Sequence, residues 1–296
     1  MTTREEWIAG ARPKTLPAAV APVLVGTAIA VFEQGFRPFI ALLALVVALA
    51  FQIGVNFSND YSDGIRGTDA DRVGPVRLVG QGLASAEAVK RAAFISYGVG
   101  IVAGLLMVVL SGFWLLIPVG IASVAAGWFY TGGKNPYGYQ GFGEVFVFIF
   151  FGLVAVVGTT ASQTGNISIT ALLGGVACGA LSCAILVTNN LRDRAGDELV
   201  GKKTLAVRLG DRGTRELYRT LILVAYAMPI ILTAMDNGPK YAYISLATLL
   251  TARRPLMAVQ NGATGPDLIP VLAATGKMLL LFAVSISVGI SASPVI

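Results

Sequence analysis

The sequence predicts an all-α integral membrane protein, a bundle of about nine transmembrane helices forming a single domain over residues 1–296. Three observations carry this expectation. The chain is 55% hydrophobic and only 13% charged, too little charge to cover a soluble domain of this size. Its mean hydropathy is +0.74, and several apolar runs reach the ~20 residues that cross a bilayer as a helix. Nearly all the cations fall in alternate loops, the asymmetry that orients a multi-pass protein.

Apolar runs between charged or Gly/Pro-rich breaks place the spans near 16–34, 38–57, 91–111, 113–131, 143–162, 168–190, 217–235, 240–252 and 268–292, the eighth being the shortest. The stretch before the first span is polar and lacks the short apolar core of a cleavable signal peptide. With the N-terminus cytoplasmic, one side collects Arg4, Arg12 and Lys14, the loop bearing Arg66, Arg72, Arg77, Lys90 and Arg91, then Lys134, the cations from Arg192 to Arg219, and Arg253 with Arg254. Of the 22 cations, only Arg37 and Lys240 fall on the opposite side, and Lys277 lies inside the ninth span. The expectation is a multi-pass protein of the cell inner (plasma) membrane, with N-terminus and polar loops cytoplasmic and C-terminus outside.

The formal charge of +6 follows from this topology, and no nucleic-acid partner is expected. The chain has no histidine, which excludes His general bases, Ser-His-Asp triads and His-ligated zinc. Cys178 and Cys183 stand five apart in one apolar run and read as packing residues.

Two acidic segments carry the chemistry. If the second span continues helically to residue 63, Asn56, Asn59, Asp60 and Asp63 share one helix face through spacings of three and four. Carboxylates at a membrane boundary are expensive and usually functional. Hard oxygen ligands of this kind suit Mg²⁺, which takes one or two protein carboxylates and completes its shell with water and phosphate oxygens. Asp69 and Asp71, in the following loop, read equally as solvated acids. The second segment leaves the sixth span: Asn190, Asp193 and Asp197 again share a face, followed by Lys202 and Lys203. A cytoplasmic loop obeying the positive-inside rule explains its Arg and Lys but not its ordered Asp spacing. Two such faces opposite each other could hold Mg²⁺ ions bridged by a diphosphate. Arg66, Arg72, Arg77, Lys134, Lys202 and Lys203 are the candidate clamps for that anion's charge, with Arg66, Lys134 and Lys202 preferred, although each also serves as a topology determinant.

A weak internal echo, Ser58-Asn59-Asp60-Tyr61-Ser62-Asp63 against Thr188-Asn189-Asn190-Leu191-Arg192-Asp193, puts both faces at the same membrane side if the halves are parallel repeats. A third segment, Tyr130 to Glu144, is a Gly/Pro-rich loop with three tyrosines, Tyr130, Tyr137 and Tyr139. Tyr137 reads as an interfacial anchor. Glu144 reads either as an electrostatic helix cap or as an active-site base or ligand.

At these residues the chain resembles the UbiA superfamily of intramembrane aromatic prenyltransferases. The resemblance rests on RPKTLPAA at Arg12–Ala19, NDYSDGIRGTDADRVGP at Asn59–Pro75, YTGGKNPYGYQGFGEVFVFIFFG at Tyr130–Gly152 and NNLRDRAGDELVGKKTLAVRLG at Asn189–Gly210. It runs from about residue 7 to residue 215. It implies an active-site cleft open to lipid, with Asn59, Asp60 and Asp63 as one Mg²⁺–diphosphate motif and Asn190, Asp193 and Asp197 as the other. Tyr130 and Lys134 match a YxxxK element whose lysine is expected near the diphosphate, and Arg66, Arg72, Tyr139 and Lys202 are expected to bind substrate. The general pattern NDxxDxxxD wants an acid where this chain has Gly67, with Asp69 two residues late; that departure is similar to the naphthoate branch.

The branch implies Mg²⁺-dependent transfer of a polyprenyl group from its diphosphate to 1,4-dihydroxy-2-naphthoate, with loss of CO₂ and pyrophosphate, giving demethylmenaquinone in the membrane lipid. Asp60, Asp63, Lys134, Asp193 and Asp197 would carry catalysis. Without histidine, proton removal falls to a carboxylate, a tyrosine, the pyrophosphate or the substrate's own hydroxyl. Another donor or acceptor (phytyl diphosphate, homogentisate, 4-hydroxybenzoate) would use the same machinery. A cation-coupled transporter would instead need acids in mid-span, which this sequence lacks.

Overall fold

A computed structural model describes residues 2–67 and 76–294, and those residues form helices, turns and loops without a strand. Thr3 opens the first helix: its Oγ1 accepts from the Glu6 amide at 3.2 Å while Glu6 Oε2 accepts from the Thr3 amide at 2.6 Å, a capping box that starts α1 (Arg4–Gly10). The chain passes through Arg12 in the left-handed region (φ 54°) and a 3-10 turn, Pro13–Thr15, into α2 (Pro17–Phe32). There follow α3 (Pro38–Arg66), α4 (Ala86–Ser111) and α5 (Leu116–Phe129). Next, α6 (Gly143–Val147) runs through a π-helical stretch, Phe148–Val154, into α7 (Ala155–Thr164). Then come α8 (Ile169–Leu199), α9 (Leu205–Ala234), a 3-10 segment at Ala242–Thr248 leading into α10 (Leu249–Gln260), and α11 (Leu268–Ser291).

All nine apolar stretches are helical, but they differ in reach. Among the described residues six helices are long and apolar enough to cross a bilayer, or seven if the bent pair Arg4–Thr15 and Pro17–Phe32 makes one span. The other two are short. At 1.5 Å per residue, the 14 residues of α5 rise only ~21 Å against a ~30 Å hydrocarbon core. The eighth apolar stretch is divided between the 3-10 segment and α10, neither of which spans alone. In contrast, α3 and α8 overrun their apolar stretches and end at Arg66 and Leu199, so the acidic segments ride on continuous helix.

Packing explains the small residues of α8. Lipid tails are as apolar as side chains, so helices in a bilayer associate through close van der Waals contact rather than hydrophobic burial. Gly174, Gly175, Ala177, Cys178, Gly179, Ala180 and Ala184 are buried on α8, at the centre of the main core. The π-helical stretch lies directly against them: a Cβ on Gly152 would meet Gly175 O and Gly179 Cα at 2.5 Å each. Cys178 and Cys183 are buried free thiols in the same helix. On the opposite side α4 exposes Ile95, Val99, Val102 and Val109, apolar side chains suited to lipid.

Gly152→Ala should therefore destabilise the bundle by about 1–3 kcal/mol, since backbone must move to admit one methyl group. Gly98→Ala, with open space around its Cβ, is the control and should not lower the melting midpoint. Thermal unfolding of both variants in detergent checks the contrast.

Candidate active site

One face of α3 supplies the first wall. Gln52, Asn56, Asn59 and Asp63 follow one another at spacings of four, three and four, and all line a single cavity of about 1270 Å³. The end of α8 supplies the second wall with Asn189, Asn190, Arg192 and Asp197. Beyond α8 the chain reverses at Gly201, whose φ of 77° suits a residue without Cβ. This turn lets the Lys202 amide donate to Asp197 O at 2.8 Å and sends the Lys202 side chain back into the site.

Lys202 joins the two walls. Its Nζ is 3.8 Å from Asp63 Oδ1 and 3.9 Å from Asp197 Oδ1, with both carboxylates and the ammonium buried. The two acidic segments therefore meet at one end of the bundle. Nζ also stands 4.5 Å above the centroid of the Tyr139 ring, and the Tyr139 hydroxyl donates to Asp63. Arg77 Nη1 approaches Asp63 Oδ2 at 4.0 Å. Buried carboxylates are tolerated only with such compensation.

Asparagine orientations follow from their neighbours. Asn190 Nδ2 donates to Glu144 Oε1 at 2.9 Å, which leaves Asn190 Oδ1 for the cavity that this residue lines. Asn59 Oδ1 accepts from Thr131 Oγ1 at 2.8 Å. Glu144 thus acts on the site through Asn190. The Tyr130–Gln140 loop is clamped by Arg66, which donates to Thr131 O and Gly133 O and lies 5.5 Å over the Tyr139 ring. Tyr137 packs inward: its hydroxyl donates to Ala126 O at 2.8 Å and its ring stacks on Phe146 at 4.0 Å. Burial, with a smaller contribution from the Tyr97 phenol, pushes the Tyr137 phenol up from its ordinary value, so it remains a neutral donor.

The remaining sequence candidates lie elsewhere. The Asp60 carboxylate accepts from the amides of Leu78 and Val79 at 2.7 and 3.1 Å, holding the segment after α3 rather than lining the cavity. Asp193 accepts from Arg192 Nε and Nη2, each at 2.7 Å, beside the cavity. Lys134 is exposed in its loop and is absent from the cavity wall. Asp69, Asp71 and Arg72 lie outside the described residues. Tyr130, Tyr139 and Asn190 do line the cavity, as does Arg77 of the same-side loop cations, joined by Arg12, Gln52, Thr131 and Arg192, to which the sequence assigned no role in the site. For Gln52 a signal existed, since it extends the α3 face by one more step of four; for Arg77 the signal was only that of a loop cation, because no pattern links it to Asp63.

Away from this polar end the cavity is apolar, walled by residues such as Val47, Phe51, Met107 and Leu116. Ile101, Leu105 and Ile121 line it and are also exposed on the outer surface of α4 and α5, so the cleft opens sideways where lipid would lie.

Residues 19–262 match the model of the UbiA prenyltransferase family. The chain is 48% identical to a 1,4-dihydroxy-2-naphthoate octaprenyltransferase of Mycobacterium tuberculosis over 97% of both chains. It is 39% identical to the Escherichia coli protein of the same name, over 74% of this chain and 73% of that one. Among solved structures, it is similar to a UbiA homolog from Archaeoglobus fulgidus bound to GPP and Mg²⁺, with a TM-score of 0.70 at 15% identity over 97% of this chain and 100% of that one. A UbiA homolog from Aeropyrum pernix K1 has a TM-score of 0.69 at 15% identity over 91% and 97%. With its helical bundle, its paired acidic helix ends and a family match over most of its length, the chain belongs to the UbiA prenyltransferase family.

Proposed function

We propose that this protein transfers a polyprenyl group from its diphosphate to 1,4-dihydroxy-2-naphthoate, releasing pyrophosphate and CO₂. The observation that carries the reading is the convergence of Asp63 and Asp197 on Lys202 at the polar end of a laterally open apolar cavity. The names of relatives at 48% and 39% identity point to the same donor and ring.

The donor set fits Mg²⁺. Among the described residues no three Asp, Glu, Cys or His side chains form a cage, but Mg²⁺ needs only one or two carboxylates when phosphate oxygens and waters complete its shell. Asp63 with Asn59, and Asp197 with Asn190, would each hold an ion. When bound, the ions neutralise diphosphate charge and assist its departure. Lys202, Arg77 and Arg192 place positive charge where charge develops on the leaving group. Asp60 and Asp193 position these walls, the first through the Leu78–Val79 backbone and the second through Arg192.

The bond between the prenyl C1 and oxygen breaks with its electron pair on pyrophosphate, leaving an allylic cation-like centre. Apolar walls keep water from it. The electron-rich ring forms the new carbon–carbon bond, and its carboxylate leaves as CO₂ with the bonding pair returned to the ring, giving a prenylated naphthohydroquinone, the quinol form of demethylmenaquinone. We place the site on the cytoplasmic side of the plasma membrane, because the cations concentrate at the loops of that end.

Detergent-purified protein given 1,4-dihydroxy-2-naphthoate, a mixture of polyprenyl diphosphates and Mg²⁺ should form a decarboxylated, prenylated naphthoquinol by mass spectrometry, and EDTA should abolish it. Product only with homogentisate or 4-hydroxybenzoate would overturn the acceptor and keep the metal chemistry. Asp63→Asn and Asp197→Asn should each lower kcat/KM by at least about a hundred-fold, in line with the loss of a group that stabilises transition-state charge. Lys202→Met should raise the donor KM and lower kcat, whereas exposed Lys134→Met should stay within about two-fold, because solvent screens a surface cation. Equal losses for the two lysine variants would reverse that assignment.

A further inference from the structure

A cation inside a bilayer span is costly and calls for a function. Lys277 is such a residue, nine residues into α11, about 14 Å along the axis from Leu268 and about 21 Å from Ser291. It is exposed and has no hydrogen-bond or ion-pair partner among the described residues. Neither α11 nor α2, which packs against it, contains an acid.

Its neighbours on the helix belong to the cavity. Ile269 and Ala273 line the cavity and are also exposed, and Lys277 continues their row by another step of four. The other edge is formed by the 3-10 turn, whose Pro13 and Lys14 likewise line the cavity and are exposed. This turn meets α11 beside Lys277, since a Cβ on Gly276 would lie 3.6 Å from Lys14 O. The cavity therefore has a second mouth, between the turn and α11. Lys14 and Lys277 stand at its rim, and Lys14 too has no acid partner among the described residues. Because α11 packs on α2, α2 on α3, and α3 on α4, two helices separate this mouth from the window between α4 and α5.

We propose that Lys277 and Lys14 hold the carboxylate of the aromatic co-substrate as the ring enters through this mouth. The assignment rests on the proposed reaction with a carboxylated ring. The diphosphate donor has its own counter-charge at Lys202, Arg77 and Arg192, and its tail needs an opening onto lipid. The naphthoate has no tail and is a monoanion at neutral pH. Ammonium groups without acid partners attract such an anion, and beside apolar walls that attraction is weakened less than in bulk water. A mouth rimmed by one sign of charge also raises the local concentration of the opposite ion. Since the carboxylate leaves as CO₂ in the reaction, the quinol offers nothing for either lysine to hold. The rim therefore favours the incoming ring over the outgoing product.

The test compares the wild-type protein with Lys277→Met, alone and combined with Lys14→Met, in detergent at low and high NaCl. At low salt the KM for 1,4-dihydroxy-2-naphthoate should rise about five-fold in the single variant and further in the double. The KM for polyprenyl diphosphate and kcat should stay within about two-fold, and Lys277→Arg should restore the wild-type KM. High salt should raise the wild-type KM toward that of the variants and leave theirs nearly unchanged. As a competitive inhibitor, 1-hydroxy-2-naphthoate should weaken by the same factor in Lys277→Met, whereas 1-naphthol, which lacks the carboxylate, should not. Should Lys277→Met lack a cooperative melting transition, Lys277→Gln removes the charge with a polar side chain and the same contrast is expected. An unchanged naphthoate KM in the double variant overturns the assignment, as does an equal rise for the donor or an equal weakening of both inhibitors. If the wild type uses 4-hydroxybenzoate instead, the naphthoate reading alone fails, and the KM for that acid in the variants decides for or against the lysines. A wild type that turns over only rings without a carboxylate defeats both.

Discussion

Two carboxylates brought together inside a helical bundle repel each other, and removing them from water costs each its hydration. Asp63 and Asp197 are buried under both penalties, and the ammonium of Lys202 between them is what makes the arrangement tolerable. Much of the surrounding structure serves that one contact. Both α3 and α8 must extend as helix beyond their apolar stretches to carry the acids to a common depth. The turn at Gly201 has to send Lys202 back toward α3. Tyr139 must lie beneath the ammonium with its hydroxyl on Asp63, and Arg66 must clamp the loop that presents Tyr139.

The same arrangement divides the cavity into two environments. At the polar end, charged and amide side chains crowd one short stretch of α3 and α8; beyond it the walls are aliphatic and aromatic. In the proposed reaction this division is functional, since a leaving anion needs counter-charge while the carbocation-like fragment needs protection from water. The lateral opening between α4 and α5 matters as much, because a long prenyl tail can remain in lipid while its head reaches the charged end.

Close packing of α8 against the π-helical stretch gives the site its rigidity. Gly152 against Gly175 and Gly179 brings the two backbones together, and about two turns earlier along the same segment Glu144 reaches Asn190. A larger residue at that crossing would push apart the helix that carries Asn190 and Asp197 and the segment that orients Asn190. Cys183, whose thiol donates to Glu144 O at 3.0 Å, belongs to this packing rather than to any chemistry.

The sequence by itself determined what depends on composition and on spacing along one helix. Bilayer thickness and the price of a charge in lipid made the helical stretches legible, and a spacing of three and four put Asn56, Asn59 and Asp63 on one face because α-helical geometry leaves no alternative. Ordered motifs were enough to mark the family. Tertiary structure decided what depends on which helices meet. Asp60 and Asp63 look equivalent in the sequence, yet one binds the Leu78–Val79 backbone and the other faces Lys202, because three residues turn a helix by about 300° and not by a full circle. Lys134 matched a motif and stands in solvent, whereas Arg77, without any motif, reaches Asp63. Nor could any periodicity show that the carbonyls of Ala11 and Arg12 direct the amides of Asn56 and Gln52, since that depends on a turn far away in the chain. Direction in a hydrogen-bond network comes from where its obligate acceptors sit, and only the packed fold puts them there.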